Sequence, residues 1–129
     1  IDDDPLDVCE RCNIKSVVNA KTNIKQLDEH AIHNFLCGFG IECVNNAEYS
    51  AYSNEVFFMV LKGYPDLVIN EVSVEADLDV NSIIAALSTP VHDGIDLEAV
   101  YSSVERVTAD QRGKEKILKA LTIAIKRNE

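Results

Sequence analysis

Apolar residues along this chain recur mostly at every third or fourth position rather than every second. Leu27, Ala31 and Phe35 repeat at four, and Ile32 and Leu36 widen the same face. That spacing predicts an amphipathic helix over residues 23–37, stopped by the backbone freedom of Gly38 and Gly40. Asn45-Asn46 offers a cap for the next helix, with Glu48 in its first turn, where the helix dipole favours an anion. Tyr49, Tyr52, Val56, Met59 and Val60 keep the helical repeat until Gly63-Tyr64-Pro65 ends it. A shorter segment, 14–20, carries Ile14, Val17 and Val18 at helical spacing.

The stretch 65–76 reads two ways. Leu67, Val68, Val72 and Ala76 fit a helix starting at Pro65, whereas Val68-Ile69 and Val72-Ser73-Val74 are β-branched enough for a strand. A lone strand would have no partner, so a helix is expected. Asn81 is the expected cap of a helix over 82–87. Asp96 is the expected cap of one lined by Leu97, Val100, Tyr101, Val104 and Val107. Thr108 or Asp110 would open the last helix, in which Ile117, Leu118, Leu121, Ala124 and Ile125 repeat. Helices this short must cover one another's apolar stripes. The expected fold is all-α: a compact bundle or short stack of helical hairpins, with five to six helices. No repeat of fixed period supports an array. The stripe from Ile117 to Ile125 serves either the core or a homodimer, and the oligomeric state stays open.

Length and composition fit that picture. The 129 residues suit one domain, and 47% hydrophobic with 26% charged residues is a globular balance. Ile1-Asp2-Asp3-Asp4-Pro5 opens the chain without Met, so residues 1–12 are expected to be an acidic flexible leader behind a removed signal, and 13–129 a single helical domain. The longest apolar run, Val56 to Leu61, is far too short to span a membrane. A formal charge of −10 opposes phosphate backbones, and the absence of Trp removes the best stacking platform, so no nucleic-acid role is expected.

Four cysteines, Cys9, Cys12, Cys37 and Cys43, crowd the first third of the chain. An even, clustered set reads as disulfides in an oxidising compartment, so the protein is expected to be extracytoplasmic, periplasmic or secreted. Three connectivities are open: Cys37 and Cys43 flank a Gly-containing turn, while Cys9 and Cys12 pair locally or each reach across to that turn. No Asn-x-Ser/Thr acceptor occurs, which favours a bacterial exported protein over a glycosylated one. The sharper alternative is zinc. His30, His33 and Cys37 share one helical face, and Cys9-x-x-Cys12 has thiolate spacing, but the set matches no standard finger. A thioredoxin-like role for Cys9-x-x-Cys12 fails because an acidic leader raises a thiol pKa. Asp77-x-Asp79-x-Asn81 begins like a calcium loop, yet Ser82 and Ser88 stand where Gly and Glu are required.

No nucleophile elbow, phosphate-cradling glycine loop or His-Glu-x-x-His is present, and His92-Asp93-Gly94 has no identifiable catalytic partner. No enzyme and no cofactor is therefore expected. Charge is more informative. Between Gly63 and Glu105 there is no Lys or Arg, while Asp66, Glu71, Glu75, Asp77, Asp79, Asp93, Asp96, Glu98 and Glu105 supply nine acids. From Arg112 onward six basic residues meet two acids. Either the basic helix packs beside the acidic segment, or Asp66, Glu71, Glu75, Asp77, Asp79, Asp93, Asp96 and Glu98 form a docking face for a basic protein.

Asn46-Ala47-Glu48-Tyr49-Ser50, Glu55 and Gly63-Tyr64-Pro65-Asp66-Leu67 together resemble a pattern in small exported helical proteins of Bacteroidetes. The resemblance implies export and a helical fold and transfers no functional residue. The expected function is thus a non-enzymatic extracytoplasmic interaction domain with an acidic face. An immunity or inhibitor protein neutralising a basic partner, and a zinc protein using His30, His33 and Cys37, are the alternatives.

Overall fold

A computed structural model describes residues 10–75, 78–92, 94–108 and 111–127, the side chain of residue 111 excepted. Cys9, Asp77, Asp93 and Asp110 of the expectations above lie outside these residues. Seven α-helices and no strand occur among the described residues: α1 (Ile14–Thr22), α2 (Glu29–Cys37), α3 (Ala47–Gly63), α4 (Pro65–Val74), α5 (Val80–Ser88), α6 (Leu97–Glu105) and α7 (Gln111–Arg127). Five to six were expected. The short segment at 14–20 proves to be a full helix, because the Asn13 side chain accepts from Lys15 N and satisfies an otherwise orphaned first-turn donor.

The same chemistry starts most of the others. Asn46 Oδ1 accepts from Tyr49 N at 3.1 Å and Asp96 Oδ1 from Ala99 N at 3.0 Å, both as expected. Two starts differ from expectation. Residues 23–37 are not one helix: Ile24–Gln26 form a single 3-10 turn, Leu27 is extended, and Asp28 caps α2 through Ala31 N at 2.8 Å. Leu27 is buried from the turn, so the apolar repeat continues across the break. The cap of α5 is Asp79 rather than Asn81, with Asp79 Oδ1 accepting from Ser82 N.

The 65–76 stretch is helical to Val74, with Pro65 at a first-turn position where its missing N–H costs nothing. It ends on Glu75 in the left-handed region. No described glycine has positive φ, so Gly63 does not stop α3 by turning left-handed. Pro65 ends the ladder, and Tyr64 anchors the corner: its hydroxyl donates to Ile24 O at 2.7 Å and accepts from Leu27 N at 2.9 Å.

The two long helices organise the rest. α7 packs across α4, α5 and α6, and α3 packs on α1, α4 and α6 and more lightly on α5. Ile117, Ala120, Leu121 and Ala124 of α7 are at most 1% exposed. Most of the stripe from Ile117 to Ile125 therefore faces the core, with Leu118 and Ile125 partly buried against it. Phe35, Phe39, Tyr49 and Phe57 form an aromatic cluster at the other end, with ring centroids 5.1 to 6.1 Å apart in mostly edge-on contacts. Gly38 makes this possible, since a Cβ there would lie 2.5 Å from Tyr49 Oη.

Candidate functional site

The cysteines settle the front of the molecule. Cys12 bonds to Cys43 with an S–S distance of 2.01 Å and Cα atoms 5.5 Å apart, so the chain takes the cross-link that reaches over to the helix-end loop. Cys37 is disulfide-bonded too, and its partner lies outside the described residues. The local Cys37–Cys43 pairing is not formed. Cys12 adopts a left-handed φ of 59°, and its N–H donates to Gly38 O at 2.8 Å, which seats this segment against the loop.

That bonding removes the sulfur from the zinc set, because a disulfide sulfur is not a thiolate donor. His33 is occupied as well: Nδ1 pairs with the Glu71 carboxylate, and Nε2 lies 3.4 Å from Cys37 Sγ. His30 Nε2 is 3.5 Å from the Asn34 amide. Among the described residues no three His, Cys, Asp or Glu side chains are placed to hold a metal ion.

The acidic residues expected to form one face are distributed over separate tasks. Glu71 faces His33, Glu75 meets Lys116 at 3.3 Å, and Asp79 and Asp96 cap helices. Asp66 and Glu98 are exposed in the first turns of α4 and α6. The Glu75–Lys116 pair joins the acidic segment to the basic helix, the intramolecular arrangement, although an exposed pair contributes only about 0–1 kcal/mol. His92 is exposed, 4.0 Å from Glu55, on a cleft of about 390 Å³ over Phe58, Met59 and Ile95.

A further concavity falls elsewhere. An open groove of about 580 Å³ runs between the first half of α3 and α5, walled at one end by residues 39–44. Its small residues are Ser50 and Ser53 from α3 and Ser82, Ala85 and Ala86 from α5, so neither helix fills the space between them. Ile41, Val44 and Val91 on its margin are 73%, 67% and 56% exposed. They are three of the six large aliphatic side chains most exposed among the described residues. No family model, curated protein or solved structure matches this chain. The groove must therefore be read from its own chemistry.

Two polar groups mark it. Tyr49 is 2% exposed, and its hydroxyl is the one buried side-chain polar atom without a hydrogen-bond partner among the described residues. Burial drives this phenol well above its ordinary pKa, against weaker opposing effects of the Ser53 hydroxyl and the Arg11 charge. Ser53 Oγ donates to Ser50 O instead. Among the described residues Asp79 is the one carboxylate in the lining, which holds no Lys, Arg or His. Burial pushes its carboxyl up, but hydrogen bonds from Ser82 N, Ser82 Oγ and Ile41 N, with the Arg11 charge, outweigh that and hold it below the ordinary carboxylate value. The Ile41 N bond, 3.3 Å to Asp79 Oδ2, also ties the loop wall to the start of α5.

No signal along the chain points to this groove. Ser50, Ser53, Ala85 and Ala86 are ordinary helix residues until α3 and α5 are known to face each other.

Proposed function

We propose that this chain is an extracytoplasmic, non-enzymatic interaction domain that seats an apolar segment of another protein in the groove between α3 and α5. The observation that carries this reading is the exposure of three large aliphatic side chains along one groove, Ile41 and Val44 at the loop wall and Val91 towards the other end. Scattered exposed aliphatics need no explanation, but three on the margin of one groove suit a contact surface that runs along it. A small molecule held in the groove would leave these three side chains in water, whereas a protein surface extends over them. The disulfide bonding supports an oxidising compartment.

Magnitudes fit a moderate binder. Covering three aliphatic side chains that are a little over half exposed yields about 3–5 kcal/mol. A micromolar complex requires about 8 kcal/mol net of association costs. The groove floor and at least one polar pair must supply the rest.

Selection of a random displayed peptide library on the oxidised protein tests the reading. Peptides with clustered aliphatic or aromatic anchors are expected, and Ala85→Trp, which fills the groove from an exposed position, should weaken them by about tenfold or more, roughly the loss of 1.4 kcal/mol. Val18→Ser, on exposed α1 surface, should change nothing. Enriched peptides that bind Ala85→Trp as tightly as wild type, or no enrichment at all, would refute it.

A further inference from the structure

We infer that the segment held in this groove carries a lysine or arginine beside its apolar anchor, paired with Asp79. This rests on the groove reading above and specifies its partner. Among the described residues no Lys, Arg or His lines the groove, and the charge in its lining is the Asp79 carboxylate. Both oxygens of that carboxylate accept, but not equally: Oδ1 takes one donor and Oδ2 takes two. Ser82 N at 3.2 Å, Ser82 Oγ at 3.0 Å and Ile41 N at 3.3 Å take three acceptor positions. A carboxylate offers about four, so one is left for a further N–H donor.

The surroundings bias that donor towards a cation. Glu42 lies exposed in the same loop wall. Arg11, a cation acting on Asp79, is engaged elsewhere: its guanidinium donates to Cys37 O and sits 3.8 Å from the Glu42 carboxylate. A neutral partner desolvates the Asp79 charge further when the groove is covered and adds nothing to the hydrogen bonds and the Arg11 charge that already stabilise it. An acidic partner adds repulsion, and a basic one removes the penalty with a charge-assisted hydrogen bond. The chain's charge of −10 attracts such a segment at long range.

The test uses the strongest peptide from the library selection, remade with Lys, Gln or Glu next to its anchor and titrated against the oxidised protein by calorimetry. On wild type the Lys form should bind about tenfold or more tighter than the Gln form, the lower end for a hydrogen bond to a charged group, and the Glu form weakest. Asp79→Asn keeps an oxygen for the Ser82 N cap while losing the charge and the Oδ2 acceptor, and should shrink the Lys-to-Gln ratio to about twofold or less, whatever its effect on the affinity of both peptides. Raising salt on unaltered protein should erode the Lys advantage, a readout that needs no variant. Equal binding of all three peptides, each abolished by Ala85→Trp, overturns the cation while leaving the groove intact. Binding insensitive to Ala85→Trp removes the groove reading itself. A doubling of mass in sedimentation that Ala85→Trp abolishes also overturns the proposal, in favour of a second copy of this chain.

Discussion

Replacing Gly113 by alanine sets two physical effects against each other. In an α-helix Ala is favoured over Gly by up to about 1 kcal/mol, so on propensity alone the change stabilises. Gly113, however, lies where the backbone of α7 touches α4. Its N–H donates to Ser73 Oγ at 3.0 Å, and a Cβ would lie 2.6 Å from Ile69 O and 3.0 Å from Ser73 N. Ordinary carbon–oxygen contacts lie near 3.3 Å, so α7 must retreat by roughly 0.7 Å. Ser73 Oγ is closer still and can rotate aside only by giving up the Gly113 bond, while the two backbone atoms cannot rotate aside at all. Retreat lifts Ile117 and Leu121, both 0% exposed, out of register with their neighbours. Overpacking of this kind costs about 1–3 kcal/mol, and a buried N–H deprived of Ser73 costs about 1–3 more. After the propensity gain of about 1 kcal/mol, a net loss of about 1–5 kcal/mol is expected. Urea unfolding followed by circular dichroism measures it as a lower midpoint at unchanged slope. Gly63→Ala is the control: no atom lies within 4 Å of its Cβ position and its φ is not positive, so it should stabilise by up to about 1 kcal/mol. A Gly113→Ala protein as stable as wild type would show that the α4–α7 contact is softer than its geometry implies.

Three further outcomes follow from the same structure. Cys12→Ala with Cys43→Ala opens a loop with a sequence separation of 31 and should cost roughly 3–4 kcal/mol by loop-closure entropy, read as a lower urea midpoint; a loss under about 1 kcal/mol contradicts the pinning. Tyr49→Phe removes an unpartnered buried hydroxyl, so thermal unfolding should show no loss or a gain of about 1–2 kcal/mol, while Tyr64→Phe, which breaks two hydrogen bonds, should cost about 1–3; the reverse order would sink the assignment. The carboxyl of Asp79 is held below its ordinary value of 3.8, so its stabilisation is complete above that value and is lost as pH falls through the lower folded-state value. The stability gap between wild type and Asp79→Asn should therefore close on acidification, and a gap that widens on acidification is inconsistent with the shift.

How far the chain could be read depended on whether a signal was local. Asn46 and Asp96 announce helix starts because the cap and the bonded N–H are three residues apart. Asp28 carries the same signal ahead of α2, but the repeat through Leu27, Ala31 and Phe35 masks it, since Leu27 is buried from an extended turn as effectively as from a helix. Asp79 and Asn81 are equally good caps two residues apart, and sequence chemistry does not separate them. The β-branched run in α4 is helical because its helix face is covered by α3 and α7, so tertiary packing overrides propensity. Charge and metal readings depend on distant neighbours. His33 and Cys37 share a helix face, yet Glu71, 38 residues away, takes the imidazole. Glu75 finds its cation 41 residues on, in Lys116.

The groove is a consequence of how α5 is held. Ile83 and Leu87 are buried, and α5 packs chiefly on α7. What joins it to α3 is largely one buried amide: Asn54 Nδ2 donates to Ala86 O at 2.9 Å and Thr89 O at 3.4 Å, and its Oδ1 accepts from Val91 N at 3.0 Å. An amide in that place sets a fixed spacing between the helices where interlocking aliphatic side chains would close it. At the opposite end Asp79 and the Cys12–Cys43 bridge hold the loop wall. The space is thus braced at both ends by directional or covalent bonds and lined between them by small side chains. A groove built this way is formed before anything enters it, so its occupant does not bear the cost of ordering the walls.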